Sequence, residues 1–256
     1  MLFRSSFDLS GQVSVVTGGG RGIGLAVAAS LSRHGASVVL VGRTPETLKH
    51  AAEQIRSGGG RADWIAADVS DEAAVEHLAS EVGRRHGTAA VLVNNAGINP
   101  YYKAAEDVTL KEWQEMLAVN LTGVFLCCRA FGRAMIAAGS GSIVNISSIA
   151  GHIGMPKTAP YSAAKGGVEL LTKALAAEWA KKGVRVNCVA PGYVETDLTQ
   201  GIVKHPVLSG RIVQRTPLGR FAQADEIAGA VAYLASHAAS YVPGQSLIVD
   251  GGWTAT

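Results

Sequence analysis

The chain has 256 residues, 48% of them hydrophobic and 17% charged, with a formal net charge of +3. That composition can bury one large core, and the small charge implies no nucleic-acid or other polyanion partner. No apolar run is expected to approach the roughly 18 residues of a membrane span. Met1 to Ser10 lacks the apolar segment of a secretion leader, and Cys127, Cys128 and Cys188 suit neither a disulfide framework nor a zinc site. The expectation is a cytoplasmic protein with reduced core cysteines, no metal and no membrane partner.

Val13 to Thr17 is a β-rich run ended by a glycine cluster, and Ile23 to Arg33 carries apolar residues at helical spacing until His34-Gly35 stops it. Ser37 to Val41 predicts a second buried strand, followed by a helix from Pro45, which suits a first turn. Asp63 to Ala67 reads as a third strand, Asp71 to His86 as an amphipathic helix, and Ala89 to Val93 as a fourth strand. After a loop over Asn99 to Asp107, Thr109 is positioned to cap a long helix carrying Trp113, Asn120 and Phe125. Ser142 to Ser147 is the next strand, Gly151 to Pro160 an irregular loop, and Tyr161 to Lys182 a helix. Val184 to Ala190 is a further strand broken by Pro191-Gly192. The polar, basic segment 195–220, interrupted by Pro206, Gly210 and Pro217, predicts a mobile substrate lid with short helices. A helix over Asp225 to Ser236 and a strand over Ser246 to Val249 complete the chain. Continuously apolar strands separated by helices argue for a parallel sheet covered on both faces. The fold class is α/β, a three-layer doubly wound parallel sheet of the Rossmann type, with residues 1–256 forming one domain.

Two stretches carry chemistry. Thr17-Gly18-Gly19-Gly20-Arg21-Gly22-Ile23-Gly24 joins a strand to a helix, where backbone N–H groups can approach a pyrophosphate. Tyr161 and Lys165 stand four residues apart, one above the other on a helix. A phenol has a pKa of about 10, and a neighbouring ammonium is expected to pull it toward working range. Asn94-Asn95-Ala96-Gly97, Asn120 and Ser148 lie between these stretches.

At these residues, in this order and spacing, the chain resembles the short-chain dehydrogenase/reductase family from about Asp8 to Trp253. The glycine spacing Gly18-x-x-x-Gly22-x-Gly24 departs from the general dinucleotide fingerprint and matches that family's own loop. The resemblance implies hydride transfer between a nicotinamide and a carbonyl or secondary alcohol carbon of a small molecule. Tyr161 would be the general acid or base, and Lys165 would lower its pKa and bind the nicotinamide ribose. Ser148, selected over Ser147 by its spacing to Tyr161, would hold the substrate oxygen, and the Asn120 backbone would hold a relay water. The cofactor would lie on Gly18, Arg21, Gly22, Ile23 and Gly24, with Asp68 and Val69 near the adenine. Asn95, Ala96 and Gly97 would pass near the ribose, and Pro191, Gly192, Val194 and Thr196 would hold the carboxamide. Gly42 occupies the place where NAD-dependent relatives carry Asp, and Arg43 follows it. That guanidinium, joined by Arg21, suits a 2′-phosphate, so NADP is expected rather than NAD.

The family also implies a homotetramer built through the Asn120 and Tyr161 helices and the last strand. Two substrate types are open: 3-oxoacyl-carrier-protein reductases come first, and sugar or polyol oxidoreductases of the gluconate 5-dehydrogenase type are the alternative. Asn99 to Tyr102, His152 to Pro156 and the lid would set the choice. Lys204, His205, Arg211 and Arg215 could attract an acidic substrate. A dinucleotide-binding sensor without catalysis is the competing class, disfavoured by the intact Asn120, Ser148, Tyr161 and Lys165.

Overall fold

The computed structural model describes residues 6–255. Seven parallel strands run in the order β3-β2-β1-β4-β5-β6-β7: β1 (Val13–Thr17), β2 (Ser37–Gly42), β3 (Arg61–Ala66), β4 (Ala89–Asn94), β5 (Gly141–Ile146), β6 (Val184–Pro191) and β7 (Ser246–Val249). The helices are α1 (Gly22–Arg33), α2 (Pro45–Ser57), α3 (Glu72–His86), α4 (Leu110–Leu117), α5 (Gly123–Ala138), α6 (Ala159–Trp179), α7 (Gln200–Val203), α8 (Pro206–Arg215) and α9 (Ala224–Ala235).

Local signals account for most boundaries. Asp71 caps α3 by accepting from the Ala73 and Ala74 N–H groups. Thr109 and Glu112 form a reciprocal capping box at α4. On α2 the buried residues Leu48, Ala51, Ala52 and Ile55 make one apolar stripe. One face of the sheet buries α1, α2 and α9, including Val27, Leu31 and Ile227. The other buries α3, α5 and α6, including Leu78, Phe131 and Val168.

The helical run Leu110–Ala138 is long and apolar enough to cross a membrane by length and composition, with mean hydropathy 1.4 over its most apolar window. This corrects the expectation that nothing reaches that length, because scattered polar residues such as Asn120 and Thr122 hide the run from a search for unbroken apolar stretches. Half of that window is buried. Arg129 and Arg133 on the same run pair with Glu72 and Glu76 of α3, as on a helix packed within a globular fold.

The register aligns the strand ends that build the site. Val16 lies beside Val93, Asn94 beside Asn145 and Ile146 beside Val189. Chain order reverses between β1 and β4, and the crevice beyond their C-terminal ends is where doubly wound sheets bind ligands.

Candidate active site

The glycine turn after β1 is held by the loop after β4. Thr17 Oγ1 accepts from the backbone N–H groups of Asn95 and Ala96, at 3.0 and 3.1 Å. The Asn95 amide donates to the carbonyls of Thr17 and Gly18 at 3.0 and 3.1 Å. Gly18 and Gly22 have φ of 63° and 53°, left-handed values that glycine adopts without strain. A Cβ on Gly24 would stand 2.1 Å from the Gly18 carbonyl oxygen, so α1 packs directly against the turn. Thr196 packs over Gly22, and Arg21 pairs with Asp197 across 3.3 Å. The loop after β6 therefore closes over the glycine turn. Arg21 was expected to join Arg43 on a phosphate, but its guanidinium is engaged by Asp197, a partner 176 residues distant that sequence proximity could not indicate.

A cleft of about 1470 Å³ runs from this turn across the strand ends. It exceeds the ~300–1,000 Å³ of an ordinary small-molecule site, leaving room for a dinucleotide beside a substrate. Arg43, Asp68, Val69, Asn95, Ala96, Gly97, Pro191, Gly192, Val194 and Thr196 line it with Gly18, Arg21, Gly22 and Ile23. Gly24 lies beneath it. Asp68 Oδ1 accepts from the Ser70 N–H and hydroxyl. Burial raises its pKa, but these bonds and the charge of Arg43 outweigh that and leave the carboxyl below its ordinary value. Val194 is largely core, being 3% exposed.

Ser148, Tyr161, Lys165 and Asn120 line the same cleft. Ser147 is turned away, its hydroxyl donating to the Lys165 carbonyl at 3.3 Å. Ser148, in extended backbone, caps the short turn Ile149–Gly151 by accepting from the Ala150 N–H. Lys165 is 3% exposed, and its Nζ donates to the Ile146 carbonyl at 2.8 Å. Burial pushes its pKa down to about 8, while Cys188 and Glu169 act the other way.

Tyr161 departs from expectation. Burial holds its phenol above the ordinary pKa, and the bond with Ser148 lowers it only in part. The Lys165 ammonium lies 5.6 Å from the tyrosine ring centroid and spends a proton on Ile146. Spacing on a helix counts the neighbouring charge but not the partial burial of the phenol, which acts in the opposite direction.

Asn120 also differs from a plain helical position. It sits in a π-helical turn, Ala118–Thr122, where the Gly123 N–H reaches back to the Ala118 carbonyl. Its side chain locks the loop after β4, donating to the Ile98 carbonyl at 2.9 Å and accepting from the Ile98 N–H at 3.1 Å.

The substrate side is built from Asn99, Pro100 and Tyr102, from 153–156, and from Tyr193, Arg211, Arg215 and Trp253. His152 was expected there; its ring instead meets Glu169 and Ser246 outside the cleft. Lys204 and His205 do not line it, and His205 caps α8. The Arg215 guanidinium stacks 4.4 Å from the Trp253 ring centroid. Sequence reading passed over Tyr193 and Trp253, which pack with Ile212 and Phe221 into a separate small core. It also passed over Glu115, which lines the cleft and accepts from the Tyr101 hydroxyl at 2.6 Å.

The family described as enoyl-(acyl carrier protein) reductase matches residues 18–254. The chain belongs to the short-chain dehydrogenase/reductase family. The gluconate 5-dehydrogenase of Gluconobacter oxydans is 41% identical to it over 248 residues, covering 97% of this chain and 96% of the relative. A 3-oxoacyl-[acyl-carrier-protein] reductase of Synechocystis is 42% identical over 246 residues, covering 95% and 97%. The crystal structure of a gluconate 5-dehydrogenase from Burkholderia cenocepacia, in complex with NADP and tartrate, superposes with a TM-score of 0.95 at 41% identity over 98% of each chain. The short-chain dehydrogenase/reductase fold, with its seven-stranded parallel sheet, is thus shared along nearly the whole length.

Proposed function

We propose that this short-chain dehydrogenase/reductase is an NADP-dependent oxidoreductase interconverting a secondary alcohol and a carbonyl. The observation that carries the reading is the meeting of Ser148, Tyr161 and Lys165 in one cleft with the glycine turn. The dinucleotide supplies the hydride when bound; the protein places the substrate and manages one proton. A phenol above its ordinary pKa is protonated at neutral pH, the form that donates to an oxygen gaining charge during reduction. Ser148 hydrogen-bonds that oxygen, Lys165 supplies positive charge behind the phenol, and Asn120 fixes the wall beside Lys165. The whole chain acts as one domain, with 195–220 as its lid.

NADP over NAD rests on Gly42 and Arg43. No carboxylate ends β2, and among the described residues Arg43 has no hydrogen-bonded carboxylate partner while it lines the cleft. Fluorescence titration should show tighter binding of NADPH than NADH; the reverse order would overturn this assignment. Arg43→Asp is expected to weaken NADPH binding by on the order of ten-fold or more, the loss of a charge-assisted phosphate contact, while improving NADH binding.

For the substrate, two arginines one helical turn apart, Arg211 and Arg215, line the cleft without an ion-pair partner among the described residues. They favour an acidic substrate, and we take it to be a hydroxy acid of the gluconate type rather than a neutral polyol. Arg211→Leu is expected to raise KM for gluconate by on the order of ten-fold and leave a neutral polyol unaffected. Equal effects on both would remove the acid preference.

The exposed apolar side chains Leu110, Trp113 and Phe125, together with Leu170, Leu247 and Ile248, support a homotetramer, which sedimentation measurements would test. Three buried free thiols support a cytoplasmic setting.

A further inference from the structure

Helix α6 buries a second ionisable side chain. Glu169 follows Lys165 by one helical turn, on the same face. Its side chain is 7% exposed. One oxygen, Oε1, accepts from the Ser246 hydroxyl at 3.1 Å and meets His152 Nε2 at 3.0 Å. His152 Nε2 and Ser246 Oγ are themselves 3.1 Å apart. The other oxygen, Oε2, is buried and meets no nitrogen or oxygen donor among the described residues, while the Cys188 thiol of β6 hydrogen-bonds the carboxylate. A buried carboxylate is a poor way to stabilise a fold, since an apolar residue of similar size packs there at lower cost.

Its surroundings indicate another use. Toward the cleft, the titratable groups acting with it are Lys165 on α6 and Cys188 on β6, whose thiol also bonds Thr172. Toward the surface it holds His152, the residue closing the Ile149–Gly151 turn that begins at Ser148. From β7 comes only Ser246, the first residue of that strand. One carboxylate thus connects the helix of Tyr161 and Lys165, the turn of Ser148 and the outermost strand.

We propose that Glu169 is a positioning residue: its carboxylate backs the Lys165 ammonium and, through His152 and Ser246, clamps the Ser148 turn against α6 and β7. This rests on the roles given above to Ser148 and Lys165. Glu169 itself lies outside the cleft and acts only through the two groups that line it.

The test for the lysine arm needs no substrate. In lysine-labelled protein, the Lys165 Nζ resonance is assigned by its loss in Lys165→Met and titrated by 15N NMR. Removing the carboxylate charge takes away support for the ammonium, so Glu169→Gln should move the Lys165 midpoint toward acid by on the order of one pH unit. An unmoved midpoint in folded Glu169→Gln overturns this arm even if Tyr161 and Lys165 are correctly assigned. Should that variant fail to fold, Glu169→Asp, with its carboxylate drawn back, must show a lowered midpoint in the same titration.

The clamp arm is read by kinetics with gluconate and NADP. His152→Ala should lower kcat by roughly ten-fold through a displaced Ser148, with NADPH affinity unchanged, and His152→Gln should restore most of it. Equal kcat in all three proteins, or equal loss in both variants, overturns the clamp. A merely structural role predicts lower thermal stability with neither the titration nor the rescue altered.

Discussion

Replacing Tyr161 with Phe is expected to lower turnover by on the order of a thousand-fold, the span attributed to a positioned acid or base. NADPH affinity should stay near that of the unaltered protein. The substitution removes one oxygen. It leaves the ring over the Lys165 ammonium and the Lys165 bond to Ile146 untouched. Ser148 loses a partner but retains its bond from Ala150, so the stability cost is about 1 kcal/mol. The measurements are NADPH absorbance during turnover and fluorescence titration of cofactor. Turnover within ten-fold of the parent would show that the proton moves by another route. Loss of NADPH binding would show that the phenol belongs to the cofactor's cradle rather than to the chemistry.

Gly24→Ala should be the most damaging single methyl in the glycine turn. Alanine ordinarily stabilises a helix by about 1 kcal/mol relative to glycine. Here the added carbon would lie 2.1 Å from the Gly18 oxygen and 2.5 Å from the Asn95 amide nitrogen. Neither neighbour can yield cheaply, because the Asn95 amide holds the Thr17 and Gly18 carbonyls. Helix α1 must move off the turn, at a cost of about 3 kcal/mol, the upper end of ordinary overpacking. The expected result is a lower melting temperature and strongly weakened NADPH binding. Gly229 in α9 is the control, since a Cβ there meets nothing within 4 Å. Gly229→Ala should be neutral or slightly stabilising. Equal melting temperatures for the two variants would contradict the packing argument.

Much of this architecture could be read from residue patterns. β1 and β7 begin and end where apolar runs and glycines placed them, and Thr109 caps its helix as expected, with Glu112 completing a capping box. β3 starts earlier than its own composition indicates, because Arg61 and Ala62 pair with Ser37 and Val38, and pairing is a property of two strands. The π turn at Asn120 was invisible: one residue of added winding leaves an apolar helix looking continuous. At the site, residue identities were legible because the motifs are dense and ordered. Their electrostatics were not. Tyr161 is governed by how dry its surroundings are, Arg21 by an aspartate far along the chain, and Glu169 by a histidine and a serine from two other elements. Each depends on distances that exist only after folding.

The bonds from Asn95 to the glycine turn span 77 and 78 residues of chain. On a ribosome, β1, α1 and β2 emerge long before the loop after β4. Until that loop arrives, Thr17 and Gly18 have no side-chain amide to hold their carbonyls, and β1 exposes the edge that β4 will cover. Parallel pairing of such separation is slow to form and leaves strand edges open in the meantime. β1 therefore reaches its binding-competent shape only once the loop after β4 has joined it. The glycine turn cannot present its finished surface before the loop after β4 has emerged, and the open edge of β1 is exposed in that interval.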